Sequence, residues 1–366
     1  MQAFLIRRPG AERAGIEQEL IQAGVLLPLT QRTLWAANSY SRKPLFLVVR
    51  DQSGRALWGY AIERIKSRYL PGHTTLRVRD FGGNNPAYVC RAAVAALAKL
   101  ARTEPRILRL QVNVFSRSER QKTGMMLAEC GFREVTPPMS YQHTLSVNLA
   151  PGEEELFASF SKSARTRVRE CAKKGLITVP VTDRAYSARI QQLQEEAVRR
   201  TGGQIASTDW EGVLRMSKEY PGLSRVFGVF VDEDVSPERM RAFGWACNHG
   251  DRGEYRAGGS SRDGDSRLPF GYDLVWEMIR WAKATGAEWF DMGGVTVSDG
   301  GGALEGISDF KRFFSRDLIE VGAEWVLEPN PFRAKVADSI SAARARVTKA
   351  YSDRGLRRNL LQFRPQ

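Results

Sequence analysis

The stretch Tyr255–Gly294, YRAGGSSRDGDSRLPFGYDLVWEMIRWAKATGAEWFDMGG, reads as strand, loop, helix, strand and glycine turn. The strand covers Gly253–Gly258. Across Tyr272–Thr285, the apolar residues Leu274, Val275, Met278, Trp281 and Ala282 share one helical face. Gly286 can end that helix, Glu288–Met292 is a second strand, and Gly293-Gly294 permit a tight turn. A strand, a glycine turn and a following helix can gather backbone N–H groups around an anion. Neither a GxGxxG nor a Walker lysine pattern accompanies them, and the helix also reads simply as core.

Beyond this stretch, Gly300, Gly301, Gly302 and Gly306 make Val295–Gly306 a loop suited to close approach of a ligand. The segment ISDFKRFF follows, with a helix starting near Ile307. A cation fixed at Lys311 or Arg312 can hold a phosphate or stabilise a tetrahedral oxyanion, although a solvated helix start has the same composition. A strand is expected over Leu318–Leu327. Residues 331–366 are basic, with Arg333, Lys335, Arg344, Arg346, Lys349, Arg354, Arg357, Arg358 and Arg364. There Val336, Ile340, Ala343 and Val347 fall at helical spacing. The tail is a docked, solvated helix or a contact for nucleic acid or an anionic membrane.

On the N-terminal side, PGEEELFASFSKSARTRVRECAKKG predicts one helix over Glu153–Lys174, with Leu156, Phe160, Ala164, Val168 and Ala172 as its buried stripe. Lys162, Arg165, Arg169 and Lys173 form a basic row, joined by Arg167, which suits either a solvated face or an anion contact. A second helix, Tyr186–Thr201, leads to strands at Arg225–Phe230 and Arg241–Asn248.

The first 150 residues repeat this order. Strands are expected at Ala3–Ile6, Leu45–Val49, Leu57–Ile65, Ile107–Val114 and Tyr141–Leu149. Helices are expected at Glu12–Ala23, Tyr88–Ala101 and Arg117–Glu129, the last capped by Gly131. The fold class is therefore α/β, of the mixed-sheet α+β kind. The element order matches two tandem acetyltransferase-like (GNAT-type) domains, over 1–150 and 151–330, followed by a basic helical tail over 331–366.

Bulk composition sets limits. Lys and Arg total 55 against 41 Asp and Glu, a surplus of 55 − 41 = 14, which calls for a polyanionic partner. No apolar run is long enough to span a bilayer, and MQAFLIRRPG lacks signal-peptide shape, so a cytoplasmic protein is expected. Four separated cysteines and three histidines give no zinc spacing, so no metal is expected and the thiols read as buried and free.

Three segments carry a resemblance. FSKSARTRVRECAKKG, the pair YRAGGSS and LPFGYDLVWEMIRWAKATGAEWFDMGG, and ISDFKRFF resemble, in order and spacing, the conserved segments of the FemABX aminoacyltransferases. MLAECGFREV and YQHTLSVNL extend the likeness into the first half. The resemblance implies a tandem acetyltransferase-like fold, direct attack of an amine on an aminoacyl ester, and neither metal nor cofactor. It implies aminoacyl-tRNA as donor and a phosphorylated cell-wall or surface-glycan precursor as acceptor. Phe310 and Lys311 match the family's catalytic pair, Tyr255 a substrate contact, and Gly293 and Gly294 its strand-end glycines; Arg165 and Arg169 join them as substrate-binding candidates. The first half departs from the pattern. Where the family has a tryptophan followed closely by lysine, TLWAANSYSRK offers Arg42 and Lys43, and FGGNNP offers Asn84 and Asn85 where an acid is usual, with Asp80 nearby. Three functions follow: an aminoacyl-tRNA-dependent transferase acting on a peptidoglycan or peptide-like amine; an N-acyltransferase using acyl-CoA or another thioester in polysaccharide or lipid synthesis; or a non-catalytic RNA- or membrane-binding protein.

Overall fold

The structure is a computed structural model that describes residues 1–7, 11–38, 44–83, 85–202, 208–261, 268–297 and 305–344. Its elements run β1 (Gln2–Ile6), α1 (Ala11–Gln22), α2 (Thr33–Asn38), β2 (Leu45–Arg50), β3 (Ala56–Lys66), β4 (Thr74–Phe81), α3 (Ala87–Thr103), β5 (Ile107–Phe115), α4 (Arg120–Glu129), β6 (Arg133–Glu134) and β7 (His143–Asn148). They continue with α5 (Glu153–Ser159), α6 (Lys162–Lys173), β8 (Leu176–Pro180), α7 (Ser187–Thr201), α8 (Trp210–Glu219), β9 (Ser224–Val231), β10 (Ala242–Asn248) and β11 (Arg252–Ser260). The last are α9 (Phe270–Ala284), β12 (Trp289–Gly294), α10 (Glu305–Arg312), β13 (Asp317–Glu320), β14 (Gly322–Leu327) and a helix over 331–344, α11.

Two mixed sheets of seven strands form the frame, in the orders β1-β2-β3-β4-β5-β14-β6 and β13-β7-β12-β11-β10-β9-β8. Each contains one parallel pair, β4 with β5 and β11 with β12. The second sheet is covered on both faces. Phe160, Leu274, Met278, Phe290 and Phe314 fill one side, while Leu193, Trp210, Leu214, Phe230 and Phe243 fill the other. Every residue of β10 is consequently buried, as a strand lying between two helical layers must be.

The expected single strand Leu318–Leu327 is two strands in different sheets. β13 pairs with β7, whereas β14 pairs with β5. The switch occurs at Val321-Gly322, where Val321 N–H donates to Gln142 O at 2.8 Å and Ser116 N–H donates to Val321 O at 3.0 Å. A Cβ on Gly322 would lie 2.1 Å from the Tyr141 carbonyl oxygen, so only glycine lets the two chain segments cross there. β7, from the first 150 residues, lies in the second sheet, and β14 lies in the first. The two halves thus exchange a strand in each direction.

The expected helix Glu153–Lys174 is also two. It stops at Phe160, whose extended ψ of 157° turns its ring among Phe157, Trp276 and Phe314. Ser161 then starts α6 by accepting from Ala164 N–H at 3.1 Å, a cap of about 1 kcal/mol. Ala172 is exposed and Cys171 is buried in its place. Strict four-residue spacing turns about 400° per step, so the apolar face drifts off the core within three steps. In α11 the buried positions are Ala334 and Ala337, with Val336 and Ile340 half-buried and Ala343 exposed, so the docking face lies off the expected stripe.

Candidate active site

Lys311, near the end of α10, is a buried cation of the second half. It is 7% exposed and donates from Nζ to the Gly294 carbonyl at 2.8 Å. The Tyr255 ring lies below it, 5.9 Å from Nζ to the ring centroid. Burial pushes the Lys311 ammonium down to about 8, and the charge of Asp291 opposes that fall. Burial likewise pushes the Tyr255 phenol up to about 12.

The backbone that receives Lys311 is irregular for a reason visible in the strands. β11 and β12 pair in parallel only over Arg252–Glu254 with Trp289–Asp291. Past this point β12 shifts register against β7, where Asp291 faces Ser146 but Gly294 faces Thr144. Gly293 sits in the shift with φ +74°. A Cβ there would lie 3.1 Å from the Tyr255 carbonyl oxygen and 3.4 Å from Lys311 Nζ. Left-handed backbone and close approach both require glycine at this point.

Beneath the turn is a carboxylate. Asp291 is 0% exposed and accepts from Tyr141 Oη at 2.8 Å, from Thr144 Oγ1 and from Gly293 N–H at 2.8 Å. Burial raises its carboxyl above the ordinary value, while Arg252, 3.6 Å away, pulls it back. The buried Arg252 guanidinium also bonds to Asp80 of β4 at 2.9 Å and lies over the Phe115 ring at 3.6 Å. It bridges the two halves of the chain. Asp80 adopts φ +48°, which orients it toward Arg252 and toward Thr30 Oγ1, which donates to it at 2.6 Å. His249 Nε2 and Glu254 Oε2 are 2.8 Å apart, and Glu254 also pairs with Arg256 at 3.1 Å. Burial opposes the charge on Glu254, but Arg256 and the bond from His249 outweigh it and hold the carboxyl well below its usual range.

The structure brings Lys311, Tyr255, Gly293 and Gly294 into one cluster. Phe310 lies beside them and turns its ring into an aromatic group, 5.1 Å from Tyr272 and 5.5 Å from Phe314, over Gly271. It fixes α10 on α9. Arg165 and Arg169 lie on α6; Arg165 donates back to the Ala158 carbonyl and Arg169 covers the Phe157 ring at 5.3 Å. The same helix touches the exit of α10, where Ser161 N–H donates to Phe313 O at 2.9 Å. Arg42, Lys43, Asn84 and loop residues 298–304 lie outside the described residues. Trp35, just before that segment, stacks on Trp245 at 6.1 Å with Arg256 above it at 5.4 Å. Asn85 is a core residue, donating to the Tyr60 hydroxyl. Asp291, Arg252 and Tyr141 were not among the site residues expected from the sequence. The available signal was a lone acid inside the apolar strand WFDMG, since an unpaired buried carboxylate is costly.

Among the described residues, no group of three or more His, Cys, Asp or Glu side chains is arranged to hold a metal ion, and no helix is long and apolar enough to cross a membrane. Cys90, Cys171 and Cys247 are buried free thiols, while Cys130 is half-buried.

Two sheets of acetyltransferase-like order, each with its parallel pair and joined by exchanged strands, define a tandem GNAT-type α/β fold. FemX has this fold: its structure matches with a TM-score of 0.70 at 14% identity, over 92% of this chain and 100% of that one. L-PGS from Bacillus licheniformis matches with a TM-score of 0.55 at 12% identity, over 93% of this chain and 98% of that one. A tandem GNAT protein from the clavulanic acid biosynthesis pathway matches with 0.51 at 13%, over 90% and 99% respectively. The sequence matches no family model and no curated protein. At these identities the shared property is the fold, and it covers nearly the whole chain.

Proposed function

We propose that this protein is an acyltransferase of FemX type that moves an aminoacyl group from aminoacyl-tRNA to an amine of a peptidoglycan precursor or peptide-like acceptor. The observation that carries this reading is a lysine 7% exposed, whose ammonium meets a glycine turn at the open end of β11 and β12. The acceptor nitrogen attacks the ester carbonyl carbon, a C–N bond forms, and charge collects on the carbonyl oxygen. Lys311 stabilises that oxyanion. The bond to the ribose oxygen then breaks, and the proton lost by the amine ends on the departing hydroxyl. Burial removes competing water from the ammonium and strengthens its pull on the developing charge. Positioning and electrostatics supply the catalysis, with no covalent intermediate. The surplus of 14 positive charges suits a tRNA donor.

The test is transfer of radiolabelled amino acid from a mixture of charged tRNAs to a peptide amine. The label is expected in the acceptor and is lost on RNase treatment; no transfer with any charged tRNA overturns the tRNA donor. A thioester donor is the second reading, suggested by the likeness to the tandem GNAT protein, whose structure was determined without AcCoA. It predicts transfer from acyl-CoA that RNase leaves unchanged.

A further inference from the structure

We propose that Asp291 is the positioning residue for Lys311: it shapes the turn that anchors the ammonium and supplies a buried negative charge that favours it. The proposal rests on the acyl-transfer reading above only for its kinetic consequence.

The turn comes first. The Asp291 carboxylate accepts the N–H of Gly293, two residues on, which closes an Asx-type turn. Thr144 Oγ1, with its one proton, lies between the Asp291 carboxylate and, at 3.0 Å, the Gly293 carbonyl, so one shared hydroxyl ties the carboxylate to the next peptide. These bonds set the direction of the Gly294 carbonyl, the acceptor for Lys311 Nζ at 2.8 Å. Without the turn, β12 would continue in register and the carbonyl would point elsewhere.

The charge is the second part. Trp289, Phe290 and Met292 beside Asp291 are buried, so an ionised carboxylate among them is expensive. Geometry alone does not require that charge. A neutral amide would accept the same Gly293 N–H and exchange bonds with the hydroxyls of Tyr141 and Thr144. The ammonium of Lys311 is favoured by it, because burial works against the cation and the charge of Asp291 opposes that. The Tyr255 ring of β11 lies 5.9 Å from Lys311 Nζ, and Asp291 of β12 acts on Lys311 through its charge; Tyr141 bonds to Asp291, and the charges of Arg252 and Glu254 act on it in turn. Arg252 is itself shared with Asp80, which leaves Asp291 part of its charge to direct at the lysine.

The experiment follows the 13Cε shift of Lys311 with pH in protein labelled with 13C-lysine, the signal being assigned with Lys311→Arg. The midpoint, expected at about 8 in the unaltered protein, should fall by about one unit in Asp291→Asn. Asp291→Ser, a smaller neutral side chain that can still accept from Gly293, should give the same fall. Tyr141→Phe removes a hydrogen bond but no charge, and should leave the midpoint in place. A folded Asp291→Asn or Asp291→Ser whose Lys311 midpoint does not move overturns the proposal. In the transfer assay near pH 7.5, Asp291→Asn should lower kcat about threefold with little change in KM, and activity should return as pH falls. A moved midpoint in a protein that transfers from no donor keeps the Asp291–Lys311 coupling and sinks the functional reading.

Discussion

The two halves use the same parallel pair of strands to opposite ends. In the first sheet, β4 and β5 pair at six positions between Thr74 with Ile107 and Phe81 with Val114, resuming after a shift of register at each end, and the shift between Val78 and Phe81 holds Asp80. In the second, β11 and β12 hold only three positions before Gly293 diverts the chain and Lys311 enters. One pair rejoins beyond its break, which carries an acid. The other opens early and admits a cation. Arg252 stands between them, bonded to Asp80 on one side and facing Asp291 on the other, so the closed half acts as a fixed anchor for the open one. A duplicated scaffold can thus divide its labour through a single change in how far two strands stay paired.

The largest effect that tests this contrast is on stability. Arg252→Met removes the guanidinium between the buried Asp291 and the half-buried Asp80 and should cost about 3–5 kcal/mol, because it leaves uncompensated charge inside the protein. Urea unfolding measures it, and a loss below about 1 kcal/mol would mean the halves do not depend on this bridge. Lys311→Ala addresses the open half alone. The transfer rate should drop on the order of 10²-fold while thermal unfolding changes little, since the lysine serves charge rather than packing. A variant with undiminished rate would leave the opening without a chemical purpose. Ser161→Ala is the smallest test: loss of the α6 cap should cost about 1 kcal/mol in the same urea measurement. Because α6 abuts the exit of α10, a small fall in rate should accompany it.

Local periodicity carried most of the fold. The helix over Phe270–Ala284 and the strands flanking it were legible because apolar spacing of 3.6 and a run of buried residues leave few alternatives. What escaped was decided at a distance. Nothing within Leu318–Leu327 announces a change of sheet, because the cause is the crossing with Tyr141 and Gln142, well over a hundred residues earlier. The break at Phe160 follows from the aromatic pocket that receives its ring. In the site, Lys311 and the glycines were legible as a motif, whereas Asp291 and Arg252 acquire meaning only when Asp80 of the other half comes alongside.

The exchanged strands also bear on how the protein is made. β5 gains its neighbour β14 only when residues near Leu327 exist, so the first sheet has an open edge throughout most of synthesis. The pairing of Val114 with Ala323 closes a loop of some two hundred residues, a slow event for chain entropy. Neither half can finish folding and wait for the other, and assembly becomes one late, concerted step. Until that step, β5 offers a row of unpaired backbone groups to any strand it meets, which makes the newborn chain a natural client for chaperones.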